Sequence, residues 1–360
     1  MLKFLSIVGN RPQFTKLKVL HQQFENIKKI QHIICHSGQH YDYNMSEVFL
    51  RDLSIPTPRF NLNVHCKSSS SQVAKIMSKF EKILIYEKPN VVIVYGDTNT
   101  TLAGALTAGK LGIPIAHVEA GLRSFNKAMP EEQNRILVDH ISSFLFCPTQ
   151  TAVNNLKCEG ISKNVYLVGD VMLDCFNEYQ KKIKTYEHKV LQSFNLKKKE
   201  FGLATIHRQN NTDTVSKVYK ILNFLNHFNF PVLFPVHPRT QQKLNKKNIR
   251  IPSSYKNIQL TFPVSYSHML CLEKNAKIII TDSGGIQKEA FWLKKPCITL
   301  REETEWPETL TYGWNKLVSI EKPIPKNVFS RIITPKHFDT NLTKPFAGKN
   351  IRNILLNHFL

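Results

Sequence analysis

The feature that most constrains this chain is an alternation of short apolar runs with helically spaced stretches. Phe4–Val8, His32–His36, Val91–Tyr95, Ile113–Val118, Ser143–Cys147 and Val165–Val168 read as short buried strands bounded by turn formers. Helical spacing fills intervals such as Gln72–Tyr86 and Thr101–Leu111. Strands alternating with helices in this way predict βαβ units, hence a parallel sheet covered on both faces. A second series follows in Phe201–Ile206, Val232–Val236, Ile258–Phe262, Lys277–Thr281 and Cys297–Leu300. The expected fold is therefore α/β, with two Rossmann-like doubly wound domains in tandem about a central cleft. Their boundary is expected near Gly169–Asp170, giving domains 1–169 and 170–344, with a C-terminal helix in 345–360 packing back on the first. Lys181–Glu200 reads as a solvated helical surface, and Lys67–Ser71, a Lys followed by four Ser, as a mobile loop.

Composition narrows the partners. With 42% hydrophobic and 21% charged residues in 360, the chain has an ordinary globular make-up, which excludes disorder and fibre. The balance of 49 Lys and Arg against 27 Asp and Glu gives a net charge of +22. These cations are spread over the whole chain and form no basic stripe interleaved with aromatics, so neither a nucleic-acid nor a membrane partner is expected. The seven cysteines include no C-x-x-C pair and no His at finger spacing, which argues against structural zinc or a disulfide framework. The start, MLKFLSIVGNRP, has too short an apolar run for a signal peptide, and no run approaches the roughly 18 residues that span a bilayer. A cytoplasmic location is the expectation.

In open α/β sheets ligands sit beyond the carboxyl ends of the strands. Gly9-Asn10-Arg11-Pro12-Gln13-Phe14-Thr15-Lys16 follows the first strand, a turn that carries two cations into a helix start and suits an anion. Asp97 follows the strand ending at Tyr95, where a helix cap is the plainer alternative. Glu119 follows the strand ending at Val118, and Met129-Pro130-Glu131-Glu132 opens a helix in which Glu131 and Arg135 stand at i,i+4. Three acids at successive strand or helix ends could have their proton affinities driven apart, so that one serves as base and another as acid.

The second series offers cations and amides. His207-Arg208 and His237-Pro238-Arg239 follow its first two strands, and Arg301 follows the strand ending at Leu300. At Thr281-Asp282-Ser283-Gly284-Gly285 a strand breaks into a helix start, whose free N–H groups suit a pyrophosphate. From these residues alone the chain reads as a two-domain enzyme that holds a nucleotide diphosphate in one domain and brings carboxylates from the other.

GNRPQFTK, HSGQHYD, YGDTNTTLAGAL, HVEAGLRSFN with MPEEQNR, IHR, TDSGGIQKEA and LREETEW occur in this order and spacing. The set resembles the non-hydrolysing UDP-N-acetylglucosamine 2-epimerase family over roughly residues 3–320. The resemblance implies GT-B architecture, a homodimer, no nicotinamide and no metal. It also implies inversion at C2 of a UDP-sugar through a 2-acetamidoglucal, with UDP leaving C1 and adding back, to supply surface polysaccharide. By motif position it makes Asp97, Glu119 and Glu131 acid/base candidates, with His207 near the diphosphate. Arg11, Ser283, Gly284, Gly285 and Glu289 fall on UDP-binding positions, and Lys16, Gln39 and Arg135 on positions lining the sugar or cleft. Tyr266 is expected near the uracil, and Arg301 adds a cation at the same edge.

Departures sharpen this picture. Asn210 stands where the family's H-R-x-E-N has Glu, and Trp306 stands where T-E-R-P-E has Arg. Trp306, together with RPQF, GQHYD and GLRSFN, is similar to the branch acting on UDP-2,3-diacetamido-2,3-dideoxyglucuronate. Allosteric members carry a second Gln after Q-H-R, whereas this chain has Gln39-His40-Tyr41-Asp42. A GT-B glycosyltransferase, which would need an acceptor, is the alternative chemistry on the same fold.

Overall fold

Both series of strands form parallel sheets wound in the same way. The computed structural model describes residues 1–38, 50–66, 68–236, 254–324, 328, 334–338, 340, 342 and 344–360, and only the backbone of Arg11, Gln209 and Asn210. In chain order the elements are β1 (Leu2–Val8), α1 (Arg11–Phe24), β2 (Ile30–His36), β3 (Phe60–Asn61), α2 (Ser69–Glu87), β4 (Val91–Tyr95) and α3 (Asn99–Lys110). There follow β5 (Ile115–Val118), α4 (Pro130–Ile141), β6 (Phe144–Cys147), α5 (Gln150–Cys158), β7 (Val165–Leu167), α6 (Val171–Ile183) and α7 (Glu187–Ser193). Next come β8 (Gly202–Thr205), α8 (Gln209–Thr212), α9 (Val215–Asn226), β9 (Val232–Pro235), β10 (Ile258–Thr261), α10 (Tyr266–Asn275) and β11 (Ile278–Thr281). The chain closes with α11 (Gly284–Trp292), β12 (Cys297–Thr299), a 3₁₀ helix (Pro307–Gly313), β13 (Asn315–Leu317) and α12 (Ala347–Phe359).

One compact unit comprises Met1–Glu178 with Thr340–Leu360, and the other Tyr179–Asp339. The chain thus passes between units within α6, some residues beyond the Gly169–Asp170 turn. The first sheet has the order β3-β2-β1-β4-β5-β6-β7 and the second β10-β9-β8-β11-β12-β13. Each is the Rossmann order, in which the direction of winding reverses beside the first strand. The α/β fold with two doubly wound units is the one expected.

The first sheet is buried on both faces, as parallel sheets require. Leu5 and Ile7 of β1 share a core with Ile76, Phe80 and Leu84 of α2 and Ala103, Ala105 and Ala108 of α3. On the other face Phe4 meets the rings of Phe24 and Phe359 edge-on, 5.3 and 5.7 Å away. The second is Phe359 of α12, so the C-terminal helix completes the cover of the first unit. Phe346 N–H and Gly348 N–H anchor the start of α12 by donating to Asp174, at 2.7 and 2.9 Å. In the second unit Phe234, Ile278, Ile280 and Ile298 pack with Val218, Ile221, Leu222 and Leu225 of α9.

The serine run is corrected by the structure. Ser68 caps α2, its side chain accepting from Ser71 N–H at 3.2 Å, and Ser69–Ser71 form the first turn of the helix. Serine competes poorly inside helices but is a preferred cap, so a Ser cluster ahead of an apolar-periodic run starts a helix. Among the described residues no helix is long and apolar enough to cross a membrane.

Candidate active site

In the first unit the sheet's direction reverses between β1 and β4, and one side chain ties the two strand ends together. Gln13 is buried in α1. Its carbonyl oxygen accepts from Gly9 N–H at 2.7 Å, and its amide donates to Tyr95 O at 2.9 Å and to the Thr98 and Thr101 hydroxyls, both at 3.0 Å. Thr98 and Thr101 form the capping box of α3, so the capping role considered for Asp97 belongs to Thr98. Asp97 is left to accept from the Arg135 guanidinium, at 2.6 Å from Nη2 and 3.1 Å from Nε. Asn134 also donates to the Asp97 carbonyl oxygen at 2.8 Å.

Arg135 does not pair with Glu131, as the i,i+4 spacing suggested. It reaches Glu132 at 2.5 Å, one position nearer. Glu132 is held on that side because it accepts from Ser124 N–H at 2.9 Å and Phe125 N–H at 2.8 Å. Burial alone would raise its carboxyl; those amides and Arg135 bring it below the ordinary range. Glu131, half-buried, forms no hydrogen bond or ion pair among the described residues.

Glu119 follows β5 with a φ of +75°, a left-handed conformation strained for a side-chain-bearing residue. Its N–H and that of Ala120 both donate to Phe146 O at 3.1 Å, which holds the turn. Its carboxylate pairs with Lys16 Nζ. Gly96, at φ +64°, lies against this pair; a Cβ there would stand 3.2 Å from Glu119 Oε2 and 3.3 Å from Lys16 Nζ. Asp170 shares a small cavity of about 10 Å³ with Lys16 and Glu119. Behind them His117 links the Gly96 carbonyl, at 2.8 Å, to Asp139 at 2.7 Å. Asp139 also accepts from Gly121 N–H and from Arg123. Burial would raise Asp139, and His117 and Arg123 draw it below its ordinary value.

The second unit arms its switch point differently. Asp282, fully buried, accepts from His207 N–H, Arg208 N–H and the Asn211 amide at 2.9 to 3.2 Å. Asn211 donates in turn to Leu300 O at 3.0 Å, so three strand ends share one knot. His207 is exposed, with Nδ1 3.3 Å from Asp282. Ser283 caps α11 without spending its side chain on the helix, and Gly284 and Gly285 open it. A Cβ on Gly284 would fall 2.3 Å from Glu305 Oε1. Glu305 Oε2 lies 2.8 Å from Arg301 Nη1 at an angle that is not that of a hydrogen bond, and Arg208 approaches Glu305 to 3.8 Å. Tyr266, the first residue of α10, is buried and donates to Glu289 Oε1 at 2.8 Å. In the place of the missing Arg, Trp306 has the Lys288 ammonium 3.9 Å from its ring centre.

The expected residues thus fall into two clusters, Lys16, Asp97, Glu119 and Arg135 in the first unit and His207, Tyr266, Ser283, Gly284, Gly285, Glu289 and Arg301 in the second. Glu131 stands on the first turn of α4, with no ion pair or hydrogen bond among the described residues. Gln39, His237 and Arg239 lie outside the described residues, as do the side chains of Arg11 and Asn210. Sequence reasoning passed over Gln13, Glu132, Asp139, Asn211 and Asp282 as individual site residues. Gln13, Asn211 and Asp282 lie in motifs that follow strand ends and Glu132 in the motif that opens α4, whereas Asp139, in the last turn of α4, lies in no such motif. Among the described residues no three His, Cys, Asp or Glu side chains could hold a metal ion.

Doubly wound sheets with amide-rich and charged strand ends define a class of nucleotide-binding α/β enzymes. Comparison with known proteins specifies which. The family model for UDP-N-acetylglucosamine 2-epimerase matches residues 22–351. A UDP-N-acetylglucosamine 2-epimerase homolog of Methanococcus maripaludis is 49% identical over 322 residues, covering 89% of this chain and 90% of its own. The UDP-2,3-diacetamido-2,3-dideoxy-D-glucuronate 2-epimerase of Pseudomonas aeruginosa is 42% identical over 88% of each chain. The crystal structure of Methanocaldococcus jannaschii UDP-GlcNAc 2-epimerase in complex with UDP-GlcNAc and UDP matches with a TM-score of 0.91 and 42% identity, over 99% of this chain and 100% of that one. The chain belongs to the UDP-N-acetylglucosamine 2-epimerase family, and its enzyme class is that of an epimerase.

Proposed function

We propose that this protein inverts C2 of a UDP-2-acetamido sugar, of the UDP-N-acetylglucosamine to UDP-N-acetylmannosamine type. The C2 proton is not next to a carbonyl, so direct deprotonation is slow. In the proposed course the C1–O bond breaks with its electrons passing to UDP, and the C2 proton passes to a carboxylate. The resulting C1=C2 double bond is that of a 2-acetamidoglucal. UDP then adds back to C1 while C2 takes a proton on the opposite face.

The observation that carries this reading is the arrangement at the ends of β4 and β5, where Asp97 and Glu119 each have a cation of their own in Arg135 and Lys16. Separate partners keep two neighbouring carboxylates from sharing one fate. Glu131, with no such partner, can take up or release a proton without breaking an ion pair. Asp97, Glu119 and Glu131 are accordingly the acid/base groups. Lys16 and Arg135 line the sugar, a role that motif position alone extends to Gln39; His207, Ser283, Gly284, Gly285 and Arg301 receive the diphosphate, and Tyr266 with Glu289 holds the nucleoside. Motif position alone adds Arg11 to the UDP-binding residues. The amino end of α11 suits the charge that develops on departing UDP. The enzyme is proposed to be a cytoplasmic homodimer that supplies a surface polysaccharide, and light scattering of the purified protein checks the dimer.

A second substrate, UDP-2,3-diacetamido-2,3-dideoxyglucuronate, is favoured by the 42% identity to the Pseudomonas enzyme of that name. Proton NMR in D₂O with each sugar in parallel tests both readings. Deuterium at C2 of a manno product from one sugar identifies reaction and substrate together. Absence of exchange from both sinks the proposal, whereas UDP release that requires an added acceptor points to glycosyl transfer.

A further inference from the structure

The second unit buries an acid that the chemistry above does not use. Glu273, in the last turn of α10, is fully buried, and among the described residues no N–H or O–H donor reaches either of its oxygens. What lies within hydrogen-bonding reach is another carboxyl, that of Glu289 on α11, itself 2% exposed. Two carboxylates offer each other acceptors only, and like charges in contact away from water cannot both remain ionised. One proton between them removes the repulsion and supplies the missing donor. Burial first, and then the Glu289 charge and its hydrogen bond, hold the Glu273 carboxyl well above the ordinary range, so Glu273 keeps the proton. Cys297 of β12 also faces Glu273; its thiol is pushed up to about 12, chiefly by burial. From the other side Tyr266 donates to Glu289 at 2.8 Å.

We propose that Glu273 is a positioning residue: its protonated carboxyl donates to Glu289 and, with Tyr266, fixes the carboxylate that binds the nucleotide. Two donors on one carboxylate restrict its rotation and leave lone pairs for the hydroxyl groups of a nucleoside. This rests on the nucleotide-binding role proposed for Glu289.

The test is UDP titration by calorimetry from pH 6 to 9 on the full chain, for the wild type, E273Q and E273L, with thermal unfolding followed at each pH. Gln keeps a donor and cannot ionise. E273Q is expected to bind UDP within about threefold of wild type at pH 6 and to hold that affinity to pH 9, while wild-type affinity falls as Glu273 loses its proton. E273L, without a donor, is expected to bind about tenfold more weakly throughout. A raised carboxyl keeps its proton in the folded chain after the unfolded chain has released it, so wild-type stability declines as pH rises over that interval. The E273Q melting temperature should decline less. Equal UDP affinity in E273L and wild type, or E273Q as weak as E273L at pH 6, overturns the proposal. A wild type that binds no UDP overturns the nucleotide role of Glu289 and the positioning role with it, and the melting comparison then reports the shared proton by itself. Should E273L fail to fold, the flat E273Q profile against a falling wild-type one decides.

Discussion

The two units share a strand order and place their polar groups at the same topological position, yet they use buried acids in opposite ways. In the first, Asp139 and Glu132 are buried ionised, each against an arginine and backbone amides. They brace a rim of charged pairs, Lys16 with Glu119 and Arg135 with Asp97. In the second, Asp282 is spent on backbone N–H groups that shape a loop, and Glu273 is buried against another acid. A proton-transferring surface needs charges whose balance can change during a cycle, which side-chain pairs provide. A surface for a diphosphate needs donors fixed in place, and backbone amides and a helix start serve that end.

The sharpest way to break this contrast is Glu119→Gln. If the first unit does the proton chemistry, kcat should fall about a thousandfold, inside the 10² to 10⁴ range for general acid–base groups, while UDP affinity stays within a few-fold. A variant that epimerises at full rate removes Glu119 from the mechanism. The matching change in the second unit is Asp282→Asn. It faces an amide group towards N–H donors in a site with no exposure, and should cost about 3 kcal/mol of stability, with UDP binding lost in parallel. If D282N binds UDP normally in calorimetry, the His207–Arg208 loop is not held by Asp282.

The fold was largely legible because strands of parallel sheets are short apolar runs that turn formers punctuate. Residues at their carboxyl ends then declare themselves, as Asp97, Glu119 and Ser283 did. Two edge strands are the exception: Phe60–Asn61 and Asn315–Leu317 have few residues and little apolar content to announce them, whereas the edge strands Val165–Leu167 and Ile258–Thr261 are apolar enough to be read. Pairings within the site were also hidden. Helical spacing offers Arg135 three acids, Glu131, Glu132 and Asp139; His117 and Arg123 take Asp139, and the amides of Ser124 and Phe125, brought in by a separate turn, select Glu132. Gln13 and Asn211 lay inside recognised motifs, but what they bridge depends on which strands are neighbours, as at Tyr95 and Leu300.

The treatment of acids also predicts a difference in pH response between the units. Glu132 and Asp139 are held below their ordinary values in the folded chain. Their contribution is therefore present above the unfolded carboxylate range, about 4, and is lost as pH falls through the folded values. Glu273 has the reverse sign. Hydrogen exchange, corrected for intrinsic amide rates, should show the first unit losing protection towards acid before the second does. Equal loss in both would mean that these buried pairs do not set the acid limit.

The smallest expected effect concerns the start of α2, remote from either set of charged groups in sequence yet close to one of them in space. Ser68 caps this helix, and Ser69 Oγ donates to Asn99 Oδ1 at 3.0 Å, beside the Asp97 corner. Ser68→Ala removes the cap and leaves the Ser69 contact, so it should cost about 1 kcal/mol of stability, and Ser68→Gly only a few tenths. Since α2 buries Ile76, Phe80 and Leu84 in the core, the loss should appear as a lower melting temperature with kcat unchanged. Alanine and glycine variants equally stable with the wild type would show that the cap contributes nothing. A fall in kcat in S68A would instead tie the helix start to the Asp97 corner, and the first unit's site would then extend beyond its strand ends.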